Sequence, residues 1–488
     1  MQNVSGNTNI TVDTPVHISS KIKKNVPSPT YRSHHNIREH PLVATRSRLL
    51  KNLRPTASRL CQLVQHSLLG NTPFRAQAAQ TVGPFHQACH IYHPDTGMKE
   101  TMDSLRKGPN KTIWDTSLTN EIGRLAQGVG KNRPLAQKIQ GTDTIFFIQK
   151  NQIPKGTRVT YANFICDIKP YKKETHRTRM TVGGGGGGRL EYHDDPSAPA
   201  VGLLDTKIHL NSVISDANKG ARYSTADIKN FYFKNPLRIF QYMRIHKSYF
   251  TEELRQEYDL DSITNEDGYI YCIIKKGMYG LKEAGCIAHA HLVTNLAPAG
   301  YFPMQYTPGL WRHKTRPTTF TLAVDDFGIK HYCTKDLEHL LDALRCHYQI
   351  SVDTSGSQYC GLQIKWNYPD KYVDISMPSY IAQALEKYQH PPPTKPQYAP
   401  HPWTEPTYGS KVQYALPPST LPTLDKKGIK RVQSITGTFQ YYSRAVDPIM
   451  MVAVNELARE QAAPNATTLK KCNMLLDYAT TNPVSTIR

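Results

Sequence analysis

Residues 318–333 read TTFTLAVDDFGIKHYC, and this stretch decides the fold that we predict. An apolar, β-branched run, TTFTLAV, is followed by Asp325-Asp326-Phe327-Gly328, and the chain then returns as IKHYC. Two strand-like runs joined by a short polar segment are typical of a β-hairpin. The sequence therefore predicts a hairpin that presents a pair of carboxylates at its turn.

Segments on either side of this hairpin supply the rest of a sheet and the helices that cover it. The upstream run ARYSTADI alternates polar and apolar residues and predicts a strand with Asp227 at its end. A helix is expected over Glu283–Ala299, and another follows the hairpin, opened by Asp336 as N-cap and carrying a leucine stripe. Strands mixed with helices in this way indicate an α+β fold.

Periodic structure extends well beyond the hairpin in both directions. It begins near Ile113, with a helix over TSLTNEIGRLAQGVG and strands at TDTIFFIQK and RVTYANFICDIKP. The six-glycine run Gly183–Gly188 predicts a loop or hairpin tip, because ordering glycine inside an element is entropically costly. A proline-rich segment, His390–Pro422, precedes two or three C-terminal helices.

The charge of the chain points to a polyanionic partner. Its 488 residues include 60 Lys and Arg against 39 Asp and Glu, a formal net charge of +21. Cationic side chains that neutralise phosphates dominate nucleic-acid affinity, so nucleic acid is the first partner to test. The alternative is a chain that is basic only for solubility. Residues 1–60 hold ten Lys or Arg and two acids without periodicity, which predicts a flexible basic arm.

Cysteine usage and hydropathy bear on the compartment. The nine cysteines include no Cys-x-x-Cys pair, which favours a reducing environment. No stretch of about 18 apolar residues occurs, so we expect no membrane association and an intracellular location, cytoplasmic or nuclear. The group His86, Cys89, His90 and His93 suggests zinc, but solvated or stacking histidines are favoured because no second ligand cluster follows at finger spacing.

Asp227, Asp325 and Asp326 form a candidate metal site. Phosphoryl transfer to a growing strand uses two Mg²⁺ ions about 4 Å apart, held by carboxylates that converge from separate strands. An Asp-Asp pair alone is more often a solvated turn. The preceding apolar strand, the second strand ending in Asp227 and the aromatic Tyr232 shift the balance towards a metal site.

Several ordered motifs resemble those of reverse transcriptases from copia-type long-terminal-repeat retrotransposons, especially those of diatoms, other protists and fungi. The likeness extends from about Lys107 to the end of the chain. The motifs are KGPNKTIWDTSLTNEIGRLAQGVG, THRTRMTVGG, YSTADIKNFYFKNPL, KKGMYGLKEAG, TPGLWRHKTRPTTFTLAVDDFGIK, YCGLQIKW and ITGTFQYYSRAVDP. The resemblance implies a right-hand polymerase fold of fingers, palm and thumb, and an RNA- and DNA-templated DNA polymerase that uses Mg²⁺, or Mn²⁺ in its place.

The same resemblance implies a role for each residue of the site. Asp227 resembles the first palm aspartate, and Asp325 and Asp326 resemble the pair of the Tyr-X-Asp-Asp hairpin. Tyr232 resembles the aromatic gate that rejects a 2′-hydroxyl. The remaining positions are Arg177 and Arg179, which resemble triphosphate-binding residues of the fingers, and Cys360-Gly361-Leu362, which resemble the turn that holds the primer end.

Three departures from the family pattern affect the expected activity. Glu283 stands where the family has glutamine, which adds a negative charge beside a triphosphate site. The glycine run lies next to the arginines, and Phe233-Lys234-Asn235 replaces a smaller loop. A catalytically inactive, nucleic-acid-binding remnant of the same fold is therefore the alternative function, and a basic structural protein without a site is a third.

The expected organisation follows the resemblance. A low-complexity basic arm, disordered by composition, covers 1–105, fingers 106–200, palm 201–375, and a proline-rich linker with a helical thumb-like or connection region 376–488. The implied partners are an RNA or DNA template-primer, deoxynucleoside triphosphates, and the integrase and ribonuclease H of a parent polyprotein. No protease signature is found at a plausible place, so the chain is expected to be part of such a polyprotein.

Overall fold

The computed structural model describes residue 91 and residues 99–168, 174–183, 197–403 and 420–488, all within one compact unit, Leu69–Arg488. These residues form the mixed α+β structure that the sequence predicts. The predicted basic arm over residues 1–60, the cluster from His86 to His93 and Gly184–Gly188 lie outside the described residues. Within the described part, no helix combines the length and the apolar character that crossing a membrane requires.

The α-helices of the described residues are numbered in chain order. They are α1 Met102–Leu105, α2 Lys111–Leu125, α3 Leu203–Ser215, α4 Glu252–Glu257, α5 Leu260–Ile263, α6 Ala284–Leu296, α7 Thr334–Arg345, α8 Tyr380–Tyr388, α9 Lys426–Ala445, α10 Met451–Glu460 and α11 Ala466–Thr481.

The strands form four sheets and are numbered in the same way. They are β1 Gly128–Val129, β2 Ile139–Gln140, β3 Ile145–Ile148, β4 Val159–Ile168, β5 His176–Val182, β6 Arg222–Ile228, β7 Pro236–His246, β8 Tyr269–Lys276, β9 Tyr301–Met304, β10 Thr307–His313, β11 Thr319–Ala323, β12 Asp326–His331, β13 Ile350–Asp353, β14 Gln358–Tyr359, β15 Leu362–Asn367, β16 Tyr372–Ser376 and β17 Thr486–Ile487.

The central sheet has the strand order β13-β6-β12-β11-β10-β9, and each neighbouring pair is antiparallel. The predicted hairpin is confirmed as β11 and β12, joined by a two-residue loop between the paired residues Ala323 and Asp326. Side chains alternate between the faces of a strand, so one face receives Phe327 and Ile329 and the other Asp326 and Gly328. The apolar face packs on α6 and α7.

A five-stranded sheet, β3-β8-β7-β4-β5, carries the two predicted arginines on β5. Its core packs against α2 through Leu118, Ile122 and Leu125, which are fully buried. β3, β4 and β5 come from residues before 200, whereas β7 and β8 follow the first strand of the central sheet. Segments on both sides of the boundary predicted at residue 200 therefore contribute strands to the five-stranded sheet.

The other face of the central sheet is covered by α3 and by C-terminal parts of the chain. α3, the four-stranded sheet β14-β15-β16-β17 and helices α8 to α11 share one apolar core with Tyr223 of β6. His390–Trp403, the described start of the proline-rich segment, forms neither helix nor strand.

The predicted start of helix α7 is wrong. Asp336 is not its N-cap, because the helix begins at Thr334 and the extended residue Cys333 precedes it. The Asp336 carboxylate instead accepts a hydrogen bond from Arg316 at 2.9 Å, and the Cys333 thiol donates to it at 3.2 Å. The Asp336 side chain therefore forms a tertiary ion pair with Arg316 instead of the predicted helix cap.

Candidate active site

The central sheet brings the three aspartates together. β6 and β12 are antiparallel neighbours, and Asp227 lies directly opposite Asp326 in their register. The backbone N–H of Ile228 donates to the carbonyl of Asp325 at 3.1 Å, which extends the pairing into the turn. Opposed residues of an antiparallel pair project to the same face, so Asp227 and Asp326 share one face at one end of the sheet.

The turn between β11 and β12 consists of Val324 and Asp325. Val324 has a φ of 65°, whereas Asp325 does not have a positive φ, which is the sign pattern of a type II′ turn. That first position usually carries glycine, and a β-branched residue there costs about 1–3 kcal/mol. Asp325 therefore lies in the turn itself, and Asp326 is already the first residue of β12.

Asp325 lies in a crowded electrostatic environment. Burial and the neighbouring carboxylate of Asp227 raise the pKa of Asp325 to about 6, while Arg179 and Arg177 oppose this shift. A carboxylate whose proton affinity is raised by a neighbouring carboxylate marks a local excess of negative charge. Such a pair favours a bound cation or a shared proton.

Arg177 and Arg179 reach this site from the five-stranded sheet. They alternate along β5 with the buried residues Thr178 and Met180, so both arginines project from the face opposite the core. Helix α2 anchors the strand, because Glu121 accepts a hydrogen bond from the backbone N–H of Met180 at 3.2 Å. The Nε of Arg177 is buried and has no hydrogen-bond partner among the residues that the structure describes, so it is a donor that an anion can satisfy.

Tyr279 joins the arginines to the predicted aromatic gate. The Arg179 guanidinium lies over the Tyr279 ring, 5.4 Å from its centroid, and the Tyr232 ring meets Tyr279 edge-to-face at 5.3 Å. Burial, then the charge of Asp325, raises the pKa of Tyr232, so this ring also lies near the carboxylates. The backbone N–H of Val182 donates to the Tyr279 carbonyl at 2.8 Å and fixes the loop to β5.

Glu283 lies at the other end of the loop that carries Tyr279. It immediately precedes α6, and only 7% of it is exposed. The charges that act most on Asp325 are those of Asp227, Arg179 and Arg177, and Glu283 is not among them. The structure thus places Glu283 in the packed base of the loop.

The predicted primer-end turn lies against the aspartate hairpin. Cys360 and Gly361 form a two-residue loop between β14 and β15, where Tyr359 pairs with Leu362. Their φ angles of 48° and 78° match a type I′ turn. Both central residues of such a turn need a positive φ, which glycine adopts readily. Burial, then the charges of Asp326 and Asp325, raises the pKa of the Cys360 thiol, so this turn and the carboxylates are neighbours.

The sequence motifs assign no individual role to two residues of this site. Tyr279 lies within the motif KKGMYGLKEAG, and its contacts with Arg179 and Tyr232 appear only once the two sheets are packed. Ser351 on β13 donates to Asp227 Oδ2 at 3.4 Å. No local pattern singles out Ser351, because it reaches Asp227 by strand pairing across the sheet.

The donor set suits a hard divalent cation. Carboxylate oxygens are the ligands that Mg²⁺ prefers, and the effect of the Asp227 charge on the pKa of Asp325 marks a site short of positive charge. The described residues do not contain three or more His, Cys, Asp or Glu side chains already gathered as a metal site. A scan against models of known protein families returned no match for this chain.

Proposed function

We propose that this chain is the polymerase part of a copia-type retrotransposon reverse transcriptase, a Mg²⁺-dependent RNA- and DNA-templated DNA polymerase. In this proposal the central sheet serves as the palm, the five-stranded sheet as the fingers and the C-terminal helices as a thumb-like or connection region. Its partners are a template-primer, deoxynucleoside triphosphates, and the integrase and ribonuclease H of the parent polyprotein.

One observation carries the proposal. Four segments that are far apart in sequence meet at one place: the end of β6, the β11–β12 turn, the arginine-bearing strand β5 and the β14–β15 turn. Each segment contributes the residue type that nucleotidyl transfer requires, namely carboxylates, guanidinium groups and a tight turn with a close backbone. A solvent-exposed turn without a function would not be expected to bring carboxylates, guanidinium groups and a second tight turn together.

Each side chain has a task in the proposed reaction. Asp227 and Asp325, with Asp326, would hold Mg²⁺, which when bound lowers the pKa of the primer hydroxyl and neutralises charge on the triphosphate. Arg177 and Arg179 bind triphosphate oxygens, a role that suits permanently charged, bidentate donors. Tyr232, supported by Tyr279, forms the surface against which a ribose 2′-hydroxyl is rejected.

The alternative, an inactive nucleic-acid-binding remnant, has one feature in its favour. Glu283 is buried at the base of the loop that supports Arg179, in place of the neutral amide that the family pattern has. A buried carboxylate there is costly and would destabilise the loop whose Tyr279 packs against Arg179, one of the arginines that the triphosphate needs. Template-primer binding would survive such a change, because backbone contacts come from the many other cations of the chain.

Primer extension distinguishes the two functions. The full chain is given a homopolymer RNA template with a DNA primer and the complementary nucleotide, with Mg²⁺ or with a chelator. Binding of the same template-primer is measured without nucleotide. Extension that depends on Mg²⁺ supports the polymerase, whereas tight binding without extension supports the remnant. Absence of both would overturn both functions.

A further inference from the structure

Two buried tyrosines lie behind Asp326, and neither has a role in the proposed reaction. Tyr223 of β6 shares a face with Asp227, since the two are four residues apart on one strand. Tyr359 ends β14, next to Cys360. Only 1% of Tyr223 and 3% of Tyr359 is exposed, and their rings meet edge-to-face with centroids 6.3 Å apart.

Gly328 makes room for the Tyr223 phenol. It lies on the same face of β12 as Asp326 and pairs with Thr225 on one side and Thr321 on the other. A Cβ at Gly328 would collide with Tyr223 Oη and lie 2.7 Å from Thr321 Oγ1. The phenol therefore extends across β12 at the position of the missing side chain.

That position is one same-face step from Asp326. Successive residues on one face of a strand have Cα atoms about 7 Å apart, and the Asp326 side chain covers part of that distance, which leaves a gap that one bridging water can span. The charge of Asp326 contributes to raising the pKa of both phenols, after burial and Cys360. Both tyrosines are therefore neutral and keep their O–H donors.

At hydrogen-bonding distance and angle, neither hydroxyl has a partner among the described residues. Thr321 is a hydrogen-bonding neighbour of both phenols, Cys360 is one of Tyr359, and Thr321 already donates to the Gly328 carbonyl at 3.3 Å. Leaving a buried hydroxyl without a close partner is energetically costly, and both of these hydroxyls lie within reach of the charge of Asp326. A packing role alone would be filled equally well by phenylalanine.

We propose that Tyr223 and Tyr359 are positioning residues for Asp326. Their O–H groups hold the carboxylate from its buried side through one bridging water, so that its outer oxygen faces the metal. Gly328 is required because it admits the Tyr223 phenol. This inference rests on the proposed function, since a fixed carboxylate matters only if Asp326 binds a cation.

The test compares Tyr223→Phe and Tyr359→Phe with the wild-type full chain. Mn²⁺ alone is the probe, and its affinity is measured from its paramagnetic signal without nucleotide or turnover. Loss of a group that orients a metal ligand weakens binding by about tenfold. Tyr348→Phe is the matched control, because Tyr348 is also buried but lies on the apolar side of the sheet, where Asn295 donates to it at 2.8 Å.

Unfolding in urea without metal gives a second, independent readout. We expect the urea midpoints of Tyr223→Phe and Asp326→Asn to combine non-additively, because each removes one end of the same hydrogen-bonded link. A Tyr223→Phe variant that binds Mn²⁺ like wild type would overturn the inference, and so would additive midpoints. Wild-type protein that does not bind Mn²⁺ would instead count against the proposed function, and the additivity of the midpoints would still decide this inference.

Discussion

The two faces of the central sheet show how one hairpin serves two purposes. On one face Phe327 and Ile329 are fully buried against α6 and α7. On the other face of the same strands, Asp326 and Asp227 are half-buried at the sheet end, next to Asp325, on which the charges of Arg177 and Arg179 act. Burial of the apolar face therefore supplies the stability that keeps the like charges of the opposite face close together.

The largest expected effect is on the charged face. If the proposed function holds, Asp325→Asn should reduce primer extension by about ten-thousandfold or more, because it removes a ligand of the proposed metal site. Template-primer binding should stay nearly unchanged, since phosphate contacts come from Lys and Arg elsewhere. Extension rate and binding affinity are measured on the same preparation. Equal loss of both would indicate misfolding and break the comparison.

The apolar face is tested by Phe327→Ala. Phe327 is fully buried and its ring lies 5.2 Å from that of Phe320, so truncation should lower the free energy of unfolding by about 3–5 kcal/mol. Urea denaturation measures this loss. Tyr306→Ala is the control, because Tyr306 is 84% exposed and should change stability by less than about 0.5 kcal/mol. A small loss for Phe327→Ala would contradict the assignment of this face to the core.

The raised pKa of Asp325 predicts that function and stability oppose each other at this site. Its folded pKa of about 6 exceeds the usual value near 4, so the folded state binds the proton more tightly. Stability from this group is present below pH 4 and is lost as pH rises through 6. Above pH 6, the free energy of unfolding of Asp325→Asn should therefore exceed that of wild type by about 2–3 kcal/mol.

Urea midpoints of both proteins from pH 3.5 to 8 check this expectation. The difference between Asn and Asp should approach zero below pH 4 and reach its full size above pH 6. A constant difference across this range would show that the Asp325 carboxyl titrates alike in the folded and unfolded states. The crowding of carboxylates on the charged face would then be absent.

The smallest expected effect concerns Glu283. Glu283→Gln should lower the KM for nucleotide by about tenfold, because it removes a buried carboxylate from the base of the loop whose Tyr279 packs against Arg179. Steady-state kinetics with saturating template-primer measure it. Glu252→Gln is the matched control, since the Glu252 side chain is 67% exposed and should leave KM unchanged. Equal KM values for Glu283→Gln and wild type would make the substitution harmless.

Local patterns predicted the elements around the central hairpin well. The β11–β12 hairpin, the strand ending near Asp227 and the helix after Glu283 all form within a few residues of the predicted bounds. Strand alternation and turn length are properties of neighbouring residues, and the sequence displays them directly. The Asp336 cap failed because Arg316, twenty residues earlier, competes for its carboxylate.

Local sequence patterns alone predict the α+β composition, the carboxylate hairpin and the residue types of the proposed nucleotide site. Only the tertiary structure decided that Asp227 pairs with Asp326, that Tyr279 joins Arg179 to Tyr232, and that Gly328 accommodates Tyr223. It also decided that β7 and β8 join the sheet of β5. The reason is physical: strand register and side-chain packing depend on contacts between distant segments, and one sequence read locally carries no measure of which distant segments meet.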